Sequence, residues 1–451
     1  MTRVLLCALA ALLAACSGCS KNGESQGGAQ DAGSDAASGG ASAGGGGSSG
    51  TGAGGSGGGG LADGGVAPVW GPPVGVVGCT FERLQNPAEV RAFTWEPCAN
   101  TPGCERAAFN PAYWVEDGGD WVESHLGPST SIHDDGGTTR AVLVVQRHQA
   151  PVIALVTDHE GRTLDGYRES NDGTCMLTCA GISGPRLGIM VERQTGDIEA
   201  DFGLLLGQVA QAGSPKILQL AKPPLGGPQL CPMGETRWAY WWVPGDRIVT
   251  VDNTTGSDLQ VVATAQINGP IWEMADPVSA GKHFLFTQTV SDATSPTGTH
   301  REIMITDGIT EPQPLLVPPP GWDYAGAAFA NSHVVWERGS EHVAGTGYGK
   351  VEIWTSPFAT ESSGLAPEKL ADSSPKGISV PGPAGWGHYG ELVDGATTRI
   401  WDLSKKQSVK RTFPNAITVW RTFGMTKTHL WTGGREGKNN KGDHLLRFTV
   451  E

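Results

Sequence analysis

Short apolar runs, each closed by Gly, Asp, Asn or Pro, recur from Ala141 to the end of this 451-residue chain and decide what it can fold into. Among them are Ala141 to Val145, Val152 to Thr157, Arg247 to Val251, His283 to Thr289, Glu302 to Thr306, His333 to Glu337, Val351 to Trp354, Arg399 to Leu403, His429 to Thr432 and Leu445 to Val450. Runs this short suit strands and are too brief for stable helices. Some alternate, as Leu446, Phe448 and Val450 do against Leu445, Arg447 and Thr449, which predicts one face turned to a core and the other away from it. Helical periodicity is nearly absent, and only Gln85 to Phe93 and Leu204 to Ala212 read as short helices. With 67 glycines and 30 prolines but only 17% charged residues, the chain is built for turns. The expected fold class is all-β.

The later runs form similar units. Ala325 to Phe329 leads through a turn at Asn331-Ser332 to Val334-Val335-Trp336-Glu337, then Val351-Glu352-Ile353-Trp354, then a segment ending Glu368-Lys369-Leu370. The same order recurs in Ile271-Trp272-Glu273, His283 to Phe286, Ile303 to Gly308 and Leu315 to Val317. It recurs again in Gly385 to His388, Gly390 to Val393 and Arg399 to Leu403, where Trp401-Asp402 is a Trp-Asp dipeptide. Each unit has three or four strands in roughly 40 to 55 residues, the scale of one propeller blade. The pattern resembles TolB-like and WD40-like β-propellers over most of the chain after Ala67. That resemblance implies the architecture and carries over no binding residue. At roughly 55 residues per unit the region after Ala67 holds seven blades, with six or eight also fitting. The 15 tryptophans are expected to fill the spaces between blades.

The N-terminal end has a different composition. Arg3 precedes an apolar stretch from Val4 to Ala15, too short to cross a bilayer and suited to a secretory signal. Leu13-Ala14-Ala15-Cys16 resembles the lipobox of bacterial lipoproteins. The resemblance implies cleavage before Cys16 and acylation of that residue, a covalent lipid anchor and the only non-protein group expected. Three acyl chains would make release from the membrane slow. Ser17 rather than aspartate after the cysteine implies export to the outer membrane, on its periplasmic or outward side. Between Lys21 and Gly60, 18 of 40 positions are glycine, with no aromatic residue and no Leu, Ile or Val, so nothing there can build a core. A coil of about 46 residues has a root-mean-square span of roughly 35 to 40 Å. The expected organisation is a signal peptide over residues 1–15, a lipidated cysteine with a flexible Gly/Ser-rich linker over 16–66, and a β-propeller domain over 67–451.

Six cysteines fall in the domain: Cys79, Cys98, Cys104, Cys175, Cys179 and Cys231. An even set in an exported chain points to disulfides. Six cysteines allow 15 pairings. Short loops suggest Cys98 with Cys104 and Cys175 with Cys179, leaving Cys79 with Cys231. No pair has two-residue spacing and no His pair accompanies them, which argues against structural zinc.

The net charge of −14, without any basic run, argues against nucleic acid as a partner. His133-Asp134-Asp135-Gly136-Gly137 is the strongest polar cluster, with nitrogen and oxygen groups suited to a divalent cation or to base catalysis. Asp-Asp-Gly-Gly is also what a hairpin turn requires, and the turn is the preferred reading. Asp117-Gly118-Gly119-Asp120 and Asp252 to Gly256 are read the same way. Trp238, Tyr240, Trp241 and Trp242 could stack on a sugar, but alternation divides them between two faces and favours core packing. His388 beside Trp386 and Tyr389 is a similar case. After Ala67 no Gly-x-Ser-x-Gly elbow, His-Glu-x-x-His helix or phosphate-binding Gly-rich loop occurs. The expected function is a membrane-anchored binding or scaffolding module facing a protein or glycan of the envelope, with no catalytic residue assigned. The alternative is a propeller enzyme, a hydrolase or lyase acting on polysaccharide.

Overall fold

The computed structural model describes residues 66–450 apart from short segments between strands, among them 115–123, 221–229, 275–282 and 380–387. The signal, Cys16 and nearly all of the linker lie outside the described residues, as do Asp117 to Asp120, Asp135 and Trp386.

Seven hydrogen-bonded sheets account for the described strands. The second to the sixth are four-stranded antiparallel meanders in chain order, the form of a propeller blade. The second sheet runs Cys175–Ser183, Arg186–Gln194, Ala200–Gln208, Lys216–Leu220. The third is Leu230–Met233, Arg237–Trp242, Arg247–Asp252, Gln260–Gln266. The fourth is Ile271–Met274, Phe284–Ser291, Thr299–Thr306, Gln313–Leu316. The fifth is Trp322–Ala330, His333–Val343, Gly347–Pro357, Glu368–Ser373. The sixth is Ile378–Ser379, His388–Asp394, Thr397–Asp402, Gln407–Thr412. In the first sheet, Ser131–Asp134, Thr139–Arg147, Ala150–Asp158 and Thr163–Glu169 are extended outward by Cys79–Leu84 and Trp70–Val76, while Ser124–Leu126 also pairs with Thr139–Arg147. The seventh joins the two ends of the domain. Ile417–Met425, His429–Glu436 and Lys441–Thr449 continue into Cys104–Phe109 and Phe93–Pro97, with Arg447 opposite Glu105.

Side-chain packing links neighbouring sheets and joins the seventh back to the first. Val142, Val144 and Val156 of the first meet Leu187, Ile189 and Val191 of the second. On the other face of the same strands, Ala141, Leu143 and Val145 meet Phe423, Trp431 and Leu445 of the seventh. Both faces of these strands are therefore buried, which is why Val142, Leu143 and Val144 show no alternation in the sequence. Leu446 and Phe448 of the seventh pack with Ile400 and Trp401 of the sixth and with Val335 and Ile353 of the fifth. Leu285, Ile303 and Ile305 of the fourth meet Tyr324, Val334 and Trp336 of the fifth. Between the second and third sheets, Arg186 lies 5.7 Å from the centre of the buried Trp238 ring. Strands Ile417–Met425, Ser131–Asp134 and Cys175–Ser183 touch in succession and line the inner edge. This radial arrangement is a β-propeller.

Two expectations need correction. Leu204 to Val209, the described part of Leu204 to Ala212, is not helical: Leu204, Leu205 and Leu206 lie on the interior strand Ala200–Gln208, paired on both sides and buried on both faces. An apolar run of that kind carries no period to tell strand from helix. Gln85 to Phe93 holds only a 3-10 turn, Pro87–Glu89, closed by the Val90 amide donating to the Pro87 carbonyl at 3.2 Å. The disulfide assignment also changes. Cys98 does bond Cys104, but Cys175 bonds Cys79, excluding the pairs Cys175 with Cys179 and Cys79 with Cys231. The proximity of Cys175 to Cys179 in sequence was misleading, because both lie on one extended strand, Cys175–Ser183, while Cys79 opens a strand of the neighbouring sheet.

Candidate functional site at the junction of the fourth and fifth sheets

Among the described residues, a dense charged and aromatic cluster lies between the fourth and fifth sheets, toward the end of the ring where hairpins join the second and third strands of each. On the fifth sheet, cross-strand register places Tyr324 opposite Arg338 and Arg338 opposite Glu352, so all three project to one face. Alternation along Gly347–Pro357 adds Lys350 and Trp354 to the face that carries Glu352. The Arg338 guanidinium carbon lies 4.5 Å from the centre of the Trp322 ring and 4.0 Å from that of Trp354, and the Lys350 ammonium is 5.0 Å from Trp322. Three cations converge on the Glu352 carboxylate: Arg338 at 2.8 Å, Lys350 at 2.9 Å and Lys369 at 2.9 Å. Trp354 Nε1 donates to it as well at 3.0 Å. Burial alone would raise the Glu352 pKa, but these donors outweigh it and hold the carboxyl at about 2.

The fourth sheet supplies the opposing wall. Arg301 bridges the sheets, its backbone amide donating to Asp323 Oδ1 at 2.6 Å and its Nε to Oδ2 at 3.2 Å. Its terminal nitrogen donates to the Tyr348 hydroxyl, which donates in turn to Asp323. Burial, first among its causes, pushes the Tyr348 pKa up to about 12, so the phenol stays protonated and able to donate. The Tyr348 ring occupies the space a Cβ at Gly339 would need. Gly339→Ala is therefore expected to displace the ring, break the Arg301–Asp323–Tyr348 bridge and cost about 1 to 3 kcal/mol, measurable by urea unfolding.

His300, beside the bridge, is held between two carboxylates, Nδ1 at 2.9 Å from Asp292 and Nε2 at 3.1 Å from Glu302. Burial would lower its pKa, but the hydrogen bonds to Glu302 and Asp292 prevail and raise it above 6.5. The stability this gives is complete below about pH 6.5 and is lost as pH rises through the folded pKa. His429 behaves in the opposite way. Burial first, and the Arg447 charge second, lower its pKa to about 4. Its contribution disappears as pH falls from about 6.5 toward 4. A melting series across pH should show His300→Gln losing its deficit above neutral pH and His429→Gln flattening the acid-side fall.

The residues singled out from sequence lie elsewhere. His133 is buried on the inner strand Ser131–Asp134, and Asp134 accepts the Lys427 backbone N–H at 2.8 Å at the opposite end of the ring. Asp134 is also paired with Thr139 across the hairpin, as the turn reading expects. Among the described residues no group of three or more His, Cys, Asp or Glu side chains could hold a metal ion. Trp238 is fully buried, in agreement with core packing. Trp322, Arg338, Glu352, Trp354 and His300 escaped the sequence reading, because their proximity depends on strand register and on contact between two sheets. The spacing Lys350-x-Glu352-x-Trp354 was the one local signal.

Circular packing of antiparallel meanders, with this charged and aromatic cleft between two of them, defines a β-propeller with a preorganised inter-sheet surface. No protein-family profile matches the chain, and no curated protein matches it in sequence. Among solved structures it is similar to a catalytically inactive virginiamycin B lyase from Staphylococcus aureus, at 12% identity and TM-score 0.44, covering 75% of this chain and 98% of that one. It is also similar to a Penicillium chrysogenum alpha-L-arabinanase, at 14% identity and TM-score 0.34, covering 59% of this chain and 90% of that one. A third, Saccharomyces cerevisiae Sqt1, is 11% identical with TM-score 0.38, covering 80% of this chain and 96% of that one. Likeness at this level conveys no activity, so the fold assignment rests on this chain's own strand pairing.

Proposed function

We propose that this chain is a bacterial envelope lipoprotein whose β-propeller is a binding or scaffolding module for an envelope protein or glycan. The observation that carries the reading is the half-buried aromatic and cationic surface of Trp322, Arg338, Lys350 and Trp354 at the end of the ring with the second-to-third hairpins. The linker joins at the other end. Trp70 lies opposite Leu84 and Val76 opposite Cys79, so the chain enters the first sheet away from those hairpins and climbs toward them. A domain tethered there leaves the cleft clear of its own anchor.

In this reading Cys16 carries the lipid, Ser17 directs the protein to the outer membrane, and the Gly-rich linker gives a reach of roughly 35 to 40 Å. The first and seventh sheets serve as blades beside the five four-stranded ones, making seven. Mass spectrometry of the protein from its native membrane tests the anchor: a triacylated Cys16 at the mature N-terminus is expected, and an unmodified terminus would remove it. Crosslinking in cells tests the module, with recovery of envelope protein or glycan expected, and recovery of neither counting against it.

The second reading, an enzyme on polysaccharide, is favoured by His300 alone, an imidazole between two carboxylates with a raised pKa. Glycan turnover by the purified protein, lost in His300→Gln, would replace the first reading with this one.

A further inference from the structure

We infer that the fifth-sheet wall of this cleft binds an acidic polysaccharide, one whose sugar rings bear carboxylates; the inference rests on the binding-module reading. Its basis is the convergence of three cations on one buried carboxylate beside aromatic rings, on a chain whose overall charge is −14. Arg338, Lys350 and Lys369 share the single buried carboxylate of Glu352. Elsewhere Arg83 with Asp165, Arg168 with Glu82 and Arg106 with Glu96 each match one cation to one carboxylate, whereas His300 and Arg447 each meet two. Lys369 also reaches Asp372, but that carboxylate is 70% exposed and the pair is screened by water.

The two lysines are the exposed members of the cluster. The Lys350 side chain is 46% exposed and that of Lys369 is 35% exposed, so either ammonium can swing to an incoming carboxylate without uncovering Glu352, which keeps Arg338 and Trp354. Arg338 is fixed between Trp322 and Trp354 and holds both rings in place. A sugar presents a flat C–H face to such rings and, when oxidised to a uronate, a carboxylate at its edge for the lysines. An acidic peptide satisfies the lysines but has no comparable flat face for two indoles. Asp292 and Glu302 of the facing sheet, which would repel an anion, are both engaged by His300.

The test measures affinity of the intact chain in detergent for three polymers: polygalacturonate, its methyl ester, which keeps the rings without the charge, and polyglutamate, which keeps the charge without the rings. Polygalacturonate is expected to bind at least tenfold tighter than either of the others. The variant Lys350→Gln/Lys369→Gln should lose roughly 100-fold, about tenfold per charge-assisted contact, while still unfolding cooperatively at a melting temperature lowered by the loss of two partners of Glu352. Trp322→Ala should weaken polygalacturonate and its ester alike. Equal binding of the ester, or an unaffected double variant, overturns the inference; polyglutamate binding as well as polygalacturonate replaces the glycan with an acidic peptide. If none of the three binds while crosslinking still recovers an envelope partner, this inference fails and the binding-module reading stands. If nothing is recovered either, both fail.

Discussion

Arg447→Ala is expected to cost about 3 kcal/mol, the scale set by removing one partner of a buried ion pair. Arg447 lies on the last strand of the domain, and its side chain is 7% exposed. Its Nε donates to Glu105 at 2.6 Å, on a strand more than three hundred residues earlier, and its terminal nitrogen donates to the His159 carbonyl at 2.7 Å. The guanidinium also stands 4.3 Å from the centre of the Trp95 ring, whose Nε1 donates to the same carbonyl at 2.7 Å. One side chain thus ties the C-terminal strand to two N-terminal strands and to a hairpin of the first sheet. Alanine would leave the Glu105 carboxylate and the His159 carbonyl short of a donor at the seam where the ring closes. Urea unfolding measures the loss. Arg447→Lys, keeping charge but not the planar fork, should lose less. A cost below about 1 kcal/mol for Arg447→Ala would mean that the seam is held elsewhere.

Opening the two disulfides should have unequal effects. Cys79–Cys175 closes a loop with a sequence separation of 96, and Cys98–Cys104 one of only 6. The chain-entropy relation assigns about 4.7 kcal/mol to a loop of roughly a hundred residues and about 2.4 kcal/mol to one of roughly seven. Cys79→Ser/Cys175→Ser should therefore fall much further in unfolding free energy than Cys98→Ser/Cys104→Ser. Equal losses would show that the long link acts through local native contacts, not through the unfolded chain.

These two features also mark where the sequence stopped being informative. Strands such as Thr139–Arg147, Ala150–Asp158 and His333–Val343 were legible because their apolar residues are consecutive and their ends carry turn residues. Most of the repeated units fell on successive strands of the fourth, fifth and sixth sheets for the same reason. The N-terminal strands Cys79–Leu84, Phe93–Pro97 and Cys104–Phe109 were not legible: they form local hairpins with little apolar alternation, and Cys104–Phe109 and Cys79–Leu84 each take their second partner from a distant part of the chain. The candidate site shared that fate. Arg338 and Glu352 face each other across a hairpin, and Arg301 meets Tyr348 from a different sheet. His133 and Asp134, conspicuous in sequence, lie on the strand Ser131–Asp134, opposite Arg140 and Thr139.

N- and C-terminal strands pair to close the ring, converting a series of meanders into one platform for the cleft. Hydrogen exchange of the intact chain across a urea series tests this closure most directly. Closure predicts that amides of Cys104–Phe109 and Lys441–Thr449 exchange together, with one urea dependence. Rapid exchange of Cys104–Phe109 while Lys441–Thr449 stays protected would contradict it.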